Sequence, residues 1–499
     1  MKRIALAVTL AATAASLLLA TSDSKLTERQ RAIHALDRLA FGARPGDVDR
    51  VLSIGVDRWI EQQLHPEKIA DAAVEARLAT YSTLQLSTAQ IGTQFVAPLL
   101  RAREQAKRNG ADGPKPNELL TPDARPMRLL AELQSQRIVR AAESERQLNE
   151  VLVDFWMNHF NVFAGKGADR FLLTAYERDT IRPRIFGRFE DLLLATAKSP
   201  AMLFYLDNAR SRAGAINENY ARELMELHTL GVDGGYTQKD VTELARVFTG
   251  WSIQRPQQGG EFVFRPRQHD PGAKVVLGVR LPAGGGIEEG ERMIALLARH
   301  PSTAHHIAYK LAQRFVADEP PPALVDRVAA RFLATRGDLR ETVRAVIESP
   351  EFRDPRYFRA KVKTPFEYTI SAVRALDAHI ENPMPLARGL QQGGEPLYGS
   401  QAPTGYSDQS SVWINTGALL QRLNFALALA DNKLPGVRTD VPSLVAADGD
   451  PDHAVDVLAQ ALTGGALTDA TKETIRTRGG KSLPTIAGLI LGSPEFQRQ

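Results

Sequence analysis

The residues best suited to chemistry gather in "NENYARELMELHTLGVDGGYTQKDVTELARVFTGW", residues 217–251. Placed on a helix at about 100° per residue, Asn219, Glu223 and Glu226 share one face within about 60°. Arg222 lies beside them, and Tyr220, Leu224 and Leu227 form a separate apolar stripe. Two carboxylates one turn apart suit acid/base work or metal ligation. The same spacing beside arginine also suits an ion-paired, solvated helix face. His228 falls at the edge of the apolar stripe, so one helix alone cannot bring Glu223, Glu226 and His228 onto one metal.

Other ligands or proton carriers must therefore come from elsewhere. "FWMNHFNVF" sets Asn158, His159 and Asn161 among large apolar residues, which implies a buried polar face. "RPRQHDPG" puts His269 and Asp270 at the hairpin tip, where a side chain can lean over a cleft. Together these segments nominate Glu223, Glu226, Asn219 and His159 as catalytic candidates, and His228, His269 and Asp270 as candidate ligands for a divalent metal. Non-covalent haem or non-haem iron is a weaker variant of the same idea. Each has a plainer reading: an ion-paired face, a satisfied core histidine, ordinary turn chemistry.

Other motifs fail on physical grounds. In "FAGKGADR", Phe160 stands where a phosphate loop needs glycine, and Gly167 where it needs Ser or Thr after Lys166. In "GGGIEEGE", Glu288 and Glu289 would repel phosphate from the helix N-terminus. There is no G-x-S-x-G elbow and no H-E-x-x-H. His300, His305 and His306 in "HPSTAHHIAYKLAQRFV" share no face and read as mostly solvated.

The elements that must position these groups are helical. The hairpin explains itself: Gly231 ends the first helix, and Thr237 with Asp240 resembles a capping box. Val241, Leu244, Ala245 and Phe248 then form the buried stripe of the second helix. The pattern along the chain predicts an N-terminal helical region at 26–104, a Pro/Gly-rich linker at 105–126, and a central helical core with the polar cluster at 127–254. A β insertion follows at 255–287, with one hairpin expected near residues 261–281 between "EFVF" and "KVVLGVRL". Helices resume at 288–380, a long loop is expected at 381–411, and C-terminal helices at 412–499. Three Ser-Pro corners recur, at Ser199, Ser349 and Ser493. The fold class is thus mainly α, a multi-helical globular protein with one small inserted β-hairpin.

Composition agrees. Of 499 residues, 43% are hydrophobic and 24% charged, an ordinary globular balance that supports a large core. A net charge of +4 is only weakly basic, and the densest run, "RAREQAKRNG", lacks interleaved aromatics, so no nucleic-acid partner is expected. The absence of cysteine removes disulfides, Cys-ligated zinc, iron–sulfur clusters and lipoprotein anchoring. Residues 1–22 read as a signal peptide: Lys2 and Arg3, an apolar run, then small residues. The mature chain is expected in the periplasm or outside the cell, with no membrane span after cleavage.

A series of stretches resembles one family: "HALDRLAFGARPGD", "DFWMNHFNVF", the 217–241 segment, "HDPGAKVVLG", "HPSTAHHIAYKLAQRFV" and "KVKTPFEYTISAVRAL". They are similar, in order, to the bacterial domain-of-unknown-function family numbered eighteen hundred, from about Ile33 to the C-terminus. The resemblance implies a bacterial, commonly exported protein with no agreed activity, often encoded beside an exported sulfatase-like family. It carries over no catalytic residues. Two functions stay open: a metal-assisted or acid/base hydrolase acting on an envelope or extracellular polymer, or a non-catalytic scaffold or binding protein working with a sulfatase-like partner.

Overall fold

A computed structural model describes residues 25–110, 113–254, 260–445 and 453–499. The leader expected at residues 1–22 lies outside the described residues. The fold is mainly α-helical, with three small two-stranded antiparallel sheets. Among the described residues no helix is long and apolar enough to cross a membrane.

The helices form where the sequence period and caps require. Glu28–Leu39 opens with a full capping box between Thr27 and Gln30. The stretch 127–159 is two helices, Met127–Glu143 and Gln147–His159. They break where the Ser144 hydroxyl donates to Asp71 and accepts from the Arg146 amide. Gln238–Val247 begins with the expected Thr237–Asp240 capping box and buries Val241, Leu244 and Ala245, with Phe248 buried just beyond. In the segment expected to be a loop at 381–411, Met384–Gln392 is a helix. Prolines hid it from the period, but both sit at its start, where proline is tolerated, and Leu386, Ala387 and Leu390 bury one face.

The strands depart from the expected pairing. β1 (Trp251–Ile253) pairs with β2 (Phe262–Phe264), and β3 (Lys274–Val276) pairs with β4 (Val279–Leu281). "EFVF" therefore folds back onto "WSI", and "KVVLGVRL" contains its own two-residue turn. Leu277 and Gly278 both have positive φ, 50° and 75°, as a primed hairpin turn demands. Leucine pays for that conformation with a bond from its amide to Asp240 Oδ1 at 2.7 Å. A third pair joins β5 (His379–Ile380) to β6 (Val437–Arg438).

Two of the Ser-Pro corners close alike: the Ser349 and Ser493 hydroxyls accept the amides of Phe352 and Phe496. One main core cluster extends from Ala32 to Phe496 and takes in both hairpins, the Asn219–Val247 region and the C-terminal helices.

Candidate functional site

The 217–230 helix is not a regular α-helix throughout. Asn219–Glu223 is α, and Leu224–Thr229 is a π turn. The Leu230 amide bonds the Met225 carbonyl at 2.8 Å, and the Thr229 hydroxyl donates to Leu224 O at 2.6 Å. Gly231, at φ +83°, then ends the helix. Carbonyls near such an end lack helical partners. Two histidines supply them: His159 Nε2 lies 3.2 Å from His228 O, and His306 Nε2 lies 3.1 Å from Leu227 O. Those bonds place the ring protons on Nε2.

His159, His228 and His306 thus form one group, with His159 ring centroids 6.1 Å from His228 and 6.2 Å from His306. Burial holds all three below the ordinary histidine range, His228 at about 3 and His306 at about 4. Burial also holds His159 well down, helped by its two histidine neighbours. All three are neutral at pH 7, and His159 and His306 act as donors. His306 read as solvated in the sequence, but it is partly buried, and a Cβ at Gly231 would come within 3.1 Å of its Nδ1. His305 is the solvated one, with its side chain 58% exposed. His300 caps the Pro301–Phe315 helix, accepting the Ser302 amide at 3.1 Å.

The carboxylate pair is separate from these rings. Glu223 and Glu226 are half-buried. Burial and the neighbouring Glu226 both raise the Glu223 carboxyl, and Arg222 offsets only part of this. The Tyr236 hydroxyl lies near Glu226, and burial and that carboxylate both raise it; Tyr205 lies near Glu223. Arg222 does not pair with either; it bonds Glu218 and Gln238. Asn219 donates from Nδ2 to Leu206 O at 3.4 Å, tying the helix start to the preceding segment. The asparagines of "FWMNHFNVF" hold the 400–406 loop. Asn158 exchanges two bonds with the Tyr406 backbone, and Asn161 donates to the carbonyls of Ser400 and Ala402.

His269 and Asp270 stand in a third place. His269 is only 5% exposed and lies in the connection between the two hairpins rather than at a hairpin tip. Its Nδ1 is 2.9 Å from Thr249 O and its Nε2 is 3.1 Å from Glu289 Oε2. The same Glu289 oxygen accepts from Lys274 Nζ at 2.8 Å. A buried ammonium therefore sits where a metal would have to approach. Asp270 makes a bidentate pair with Arg246, at 2.9 and 3.0 Å, which holds its carboxyl below the usual range. Among the described residues, no group of three or more His, Asp or Glu side chains is placed to hold a metal ion. The seven nominated residues thus fall into three groups: His159 with His228, Glu223 with Glu226 and Asn219, and His269 with Asp270.

A cleft of about 830 Å³ lies elsewhere, with no motif in the sequence to announce it. Ile91, Val96, Leu99 and Leu100 wall one side, with Phe171 and Phe204 beside them. Arg103, Arg170, Arg210, Arg212 and Arg265 also line it, and no described Asp or Glu does. None of the five makes an ion pair with a described carboxylate, in contrast to Arg137, Arg182 and Arg246 elsewhere. The buried Nε atoms of Arg170 and Arg265 have no hydrogen-bond partner. Asp169, next to Arg170, does not neutralise them. Burial pushes its carboxyl up to about 8, so it carries a proton at neutral pH. Short backbone bonds bring the arginines of one side together: Gly250 N to Ser211 O, Arg265 N to Gly250 O, and Ala213 N to Gln268 O. These arginines are scattered between residues 103 and 265, and no local pattern links them.

The described chain is a multi-helical protein in which His159 and His306 cap carbonyls of a π turn and one cleft is walled by arginine and apolar side chains. It belongs to the family described as protein of unknown function (DUF1800), which it matches over residues 34–498. No curated protein and no solved structure matches it.

Proposed function

We propose that this protein is an exported binding protein that takes an anionic, partly apolar ligand in the arginine-walled cleft. The observation that carries the reading is the unmatched charge: five arginines, two with unpartnered buried Nε atoms, and no described carboxylate among the lining residues. An apolar wall with a few convergent polar groups is the usual make-up of a ligand site. Arginine suits a carboxylate or phosphate head because it bonds such groups in a bidentate fork. The Ile91–Leu100 wall suits an alkyl or aromatic tail. The test is calorimetric titration with dodecyl phosphate, inorganic phosphate and uncharged dodecyl maltoside. Dodecyl phosphate should bind best, and replacing Arg170 and Arg265 together with Gln should weaken it about 10- to 100-fold, or about 1.4–2.8 kcal/mol. Equal binding of the uncharged detergent would overturn the reading. Export is checked by fractionating the host, and a working sulfatase-like partner by co-purification from the same cell envelope.

One observation favours a second reading. Glu223 is raised by burial and by the neighbouring Glu226. A half-buried carboxyl held up beside a second carboxylate suits acid/base hydrolysis, here of an envelope or extracellular polymer. Glu223→Gln and Glu226→Gln keep size and lose charge. If they abolish turnover of an envelope polymer without lowering stability, hydrolysis gains; no turnover by the unaltered protein removes it.

A further inference from the structure

A second cleft of about 780 Å³ holds a different chemistry. Lys363 and Ser371 both line it, and Lys363 Nζ lies 2.9 Å from Ser371 Oγ. Both side chains are buried. The lysine also donates to Phe496 O at 2.8 Å and stands 4.1 Å over the Phe496 ring, so its amine is held in place. It makes no ion pair with any described carboxylate, although a buried ammonium ordinarily needs one. Arg359 lines the same cleft. Its Nη2 donates to Thr463 O, while its buried Nε and Nη1 have no partner. Gly42 keeps the hydroxyl approachable, since a Cβ there would come within 3.3 Å of Ser371 Cβ and 3.4 Å of its Oγ.

We propose that Ser371 is a catalytic nucleophile toward carboxylic esters, with Lys363 as its base and Arg359 facing the developing oxyanion. A serine hydroxyl is weak until a positioned base takes its proton, and lysine serves that role in serine–lysine pairs. The neutral Lys363 amine accepts the hydroxyl proton as Oγ bonds to the ester carbonyl carbon, and the carbonyl electron pair moves onto its oxygen. Collapse re-forms the carbonyl and breaks the bond to the alcohol oxygen, which leaves with the proton from Lys363. Water, deprotonated by the same amine, then cleaves the acyl-serine, releasing the acid and restoring the hydroxyl. No other reactant is needed. The charge state fits: burial lowers Lys363 to about 8, opposed by Asp37 and assisted by Arg359 and Arg422. The inference rests on other residues than the arginine-walled cleft and does not depend on it.

The experiment uses the unaltered full chain with a fluorophosphonate probe and peptide mapping by mass spectrometry. The expected result is one adduct on Ser371, with a labelling rate that rises through pH about 8 as the amine loses its proton. Hydrolysis of p-nitrophenyl butyrate should show the same pH profile. It should vanish in Ser371→Ala, and labelling should fall at least 100-fold in Lys363→Met. If Lys363→Met does not fold, the pH profile of the unaltered chain decides. No adduct at pH 9, an adduct only on another residue, or a rate flat from pH 6.5 to 9.5 overturns the proposal.

Discussion

Acidification should unfold this protein early, and the cause is its buried histidines. His34 and His228 are held at about 3 and His306 at about 4, with His159 also well below the ordinary range. In the unfolded chain each returns to about 6.5. Between about pH 4.5 and 6 the unfolded state therefore binds about four more protons at these sites than the folded state. Two strongly raised carboxyls act in the opposite sense, while the smaller rise of Glu223 and the smaller fall of His300 oppose each other. Burial raises Asp169 to about 8 and Glu395 to about 7, so both are protonated when folded and ionised when unfolded in that window. The net difference is about two protons in favour of the unfolded state, so stability falls as pH falls. At 1.36 kcal/mol per proton and pH unit, the slope is about 2.7 kcal/mol, or about 4 kcal/mol from pH 6 to 4.5. That is a large part of an ordinary folding stability. Carboxylates held low by ion pairs, such as Asp408 and Glu177, add to the loss as pH falls below about 5, where the unfolded carboxyls begin to protonate, so the slope steepens at the acid end of the window. Urea unfolding at pH 6.0, 5.25 and 4.5 measures the slope, and potentiometric proton uptake on unfolding measures it independently. His34 packs against Phe352 at 4.7 Å between ring centroids, away from the capping group. His34→Leu should halve the slope to about 1.4 kcal/mol per pH unit. A stability that is flat or rises on acidification, or no proton uptake, would refute the reasoning.

Other expectations are simpler. Lys274→Met leaves Glu289 buried without its ammonium partner and should cost about 3–5 kcal/mol at pH 7, read as a shift in urea midpoint. Gly405→Ala places a Cβ 2.4 Å from Asn158 O at φ +71° and should cost about 2–4 kcal/mol by the same assay. Glu223→Gln changes a half-buried carboxyl with no ion pair and should move stability by less than about 0.5 kcal/mol; a larger loss would mean that it holds the fold. Glu395→Gln removes one of the two opposing protons, so the acid slope should steepen by about 1.4 kcal/mol per pH unit.

Much of the helical layout was legible because apolar period and caps agree, as at Thr237–Asp240. The Met384–Gln392 helix was missed because its two prolines read as loop, although proline in a first turn is permitted. Strand pairing was misread because "LG" is a less familiar hairpin turn than "NG", and its strain is relieved by Asp240, far off in sequence. The candidate chemistry was only partly visible. An α-helical wheel cannot anticipate a π turn, and the π turn decides which carbonyls need His159 and His306. His269 seemed a turn residue because its partners, Glu289 and Lys274, come from other elements. Both clefts depend on residues far apart in the chain, and a single sequence carries no local trace of such meetings.

Arginine bridges between distant parts of the chain have a consequence in time. Arg374 bonds Gly42 O and Asp47, and the Arg374–Asp47 contact spans 327 residues. Arg340 reaches back to Leu64 O and Arg77 forward to Ile380 O. At about 10 residues per second, some 30 s of synthesis separate Asp47 from its partner. During that interval Phe41 lacks Phe366, whose ring centroid stands 5.3 Å from its own. The Asp47 and Gly42 contacts can close only when the far end of the chain arrives.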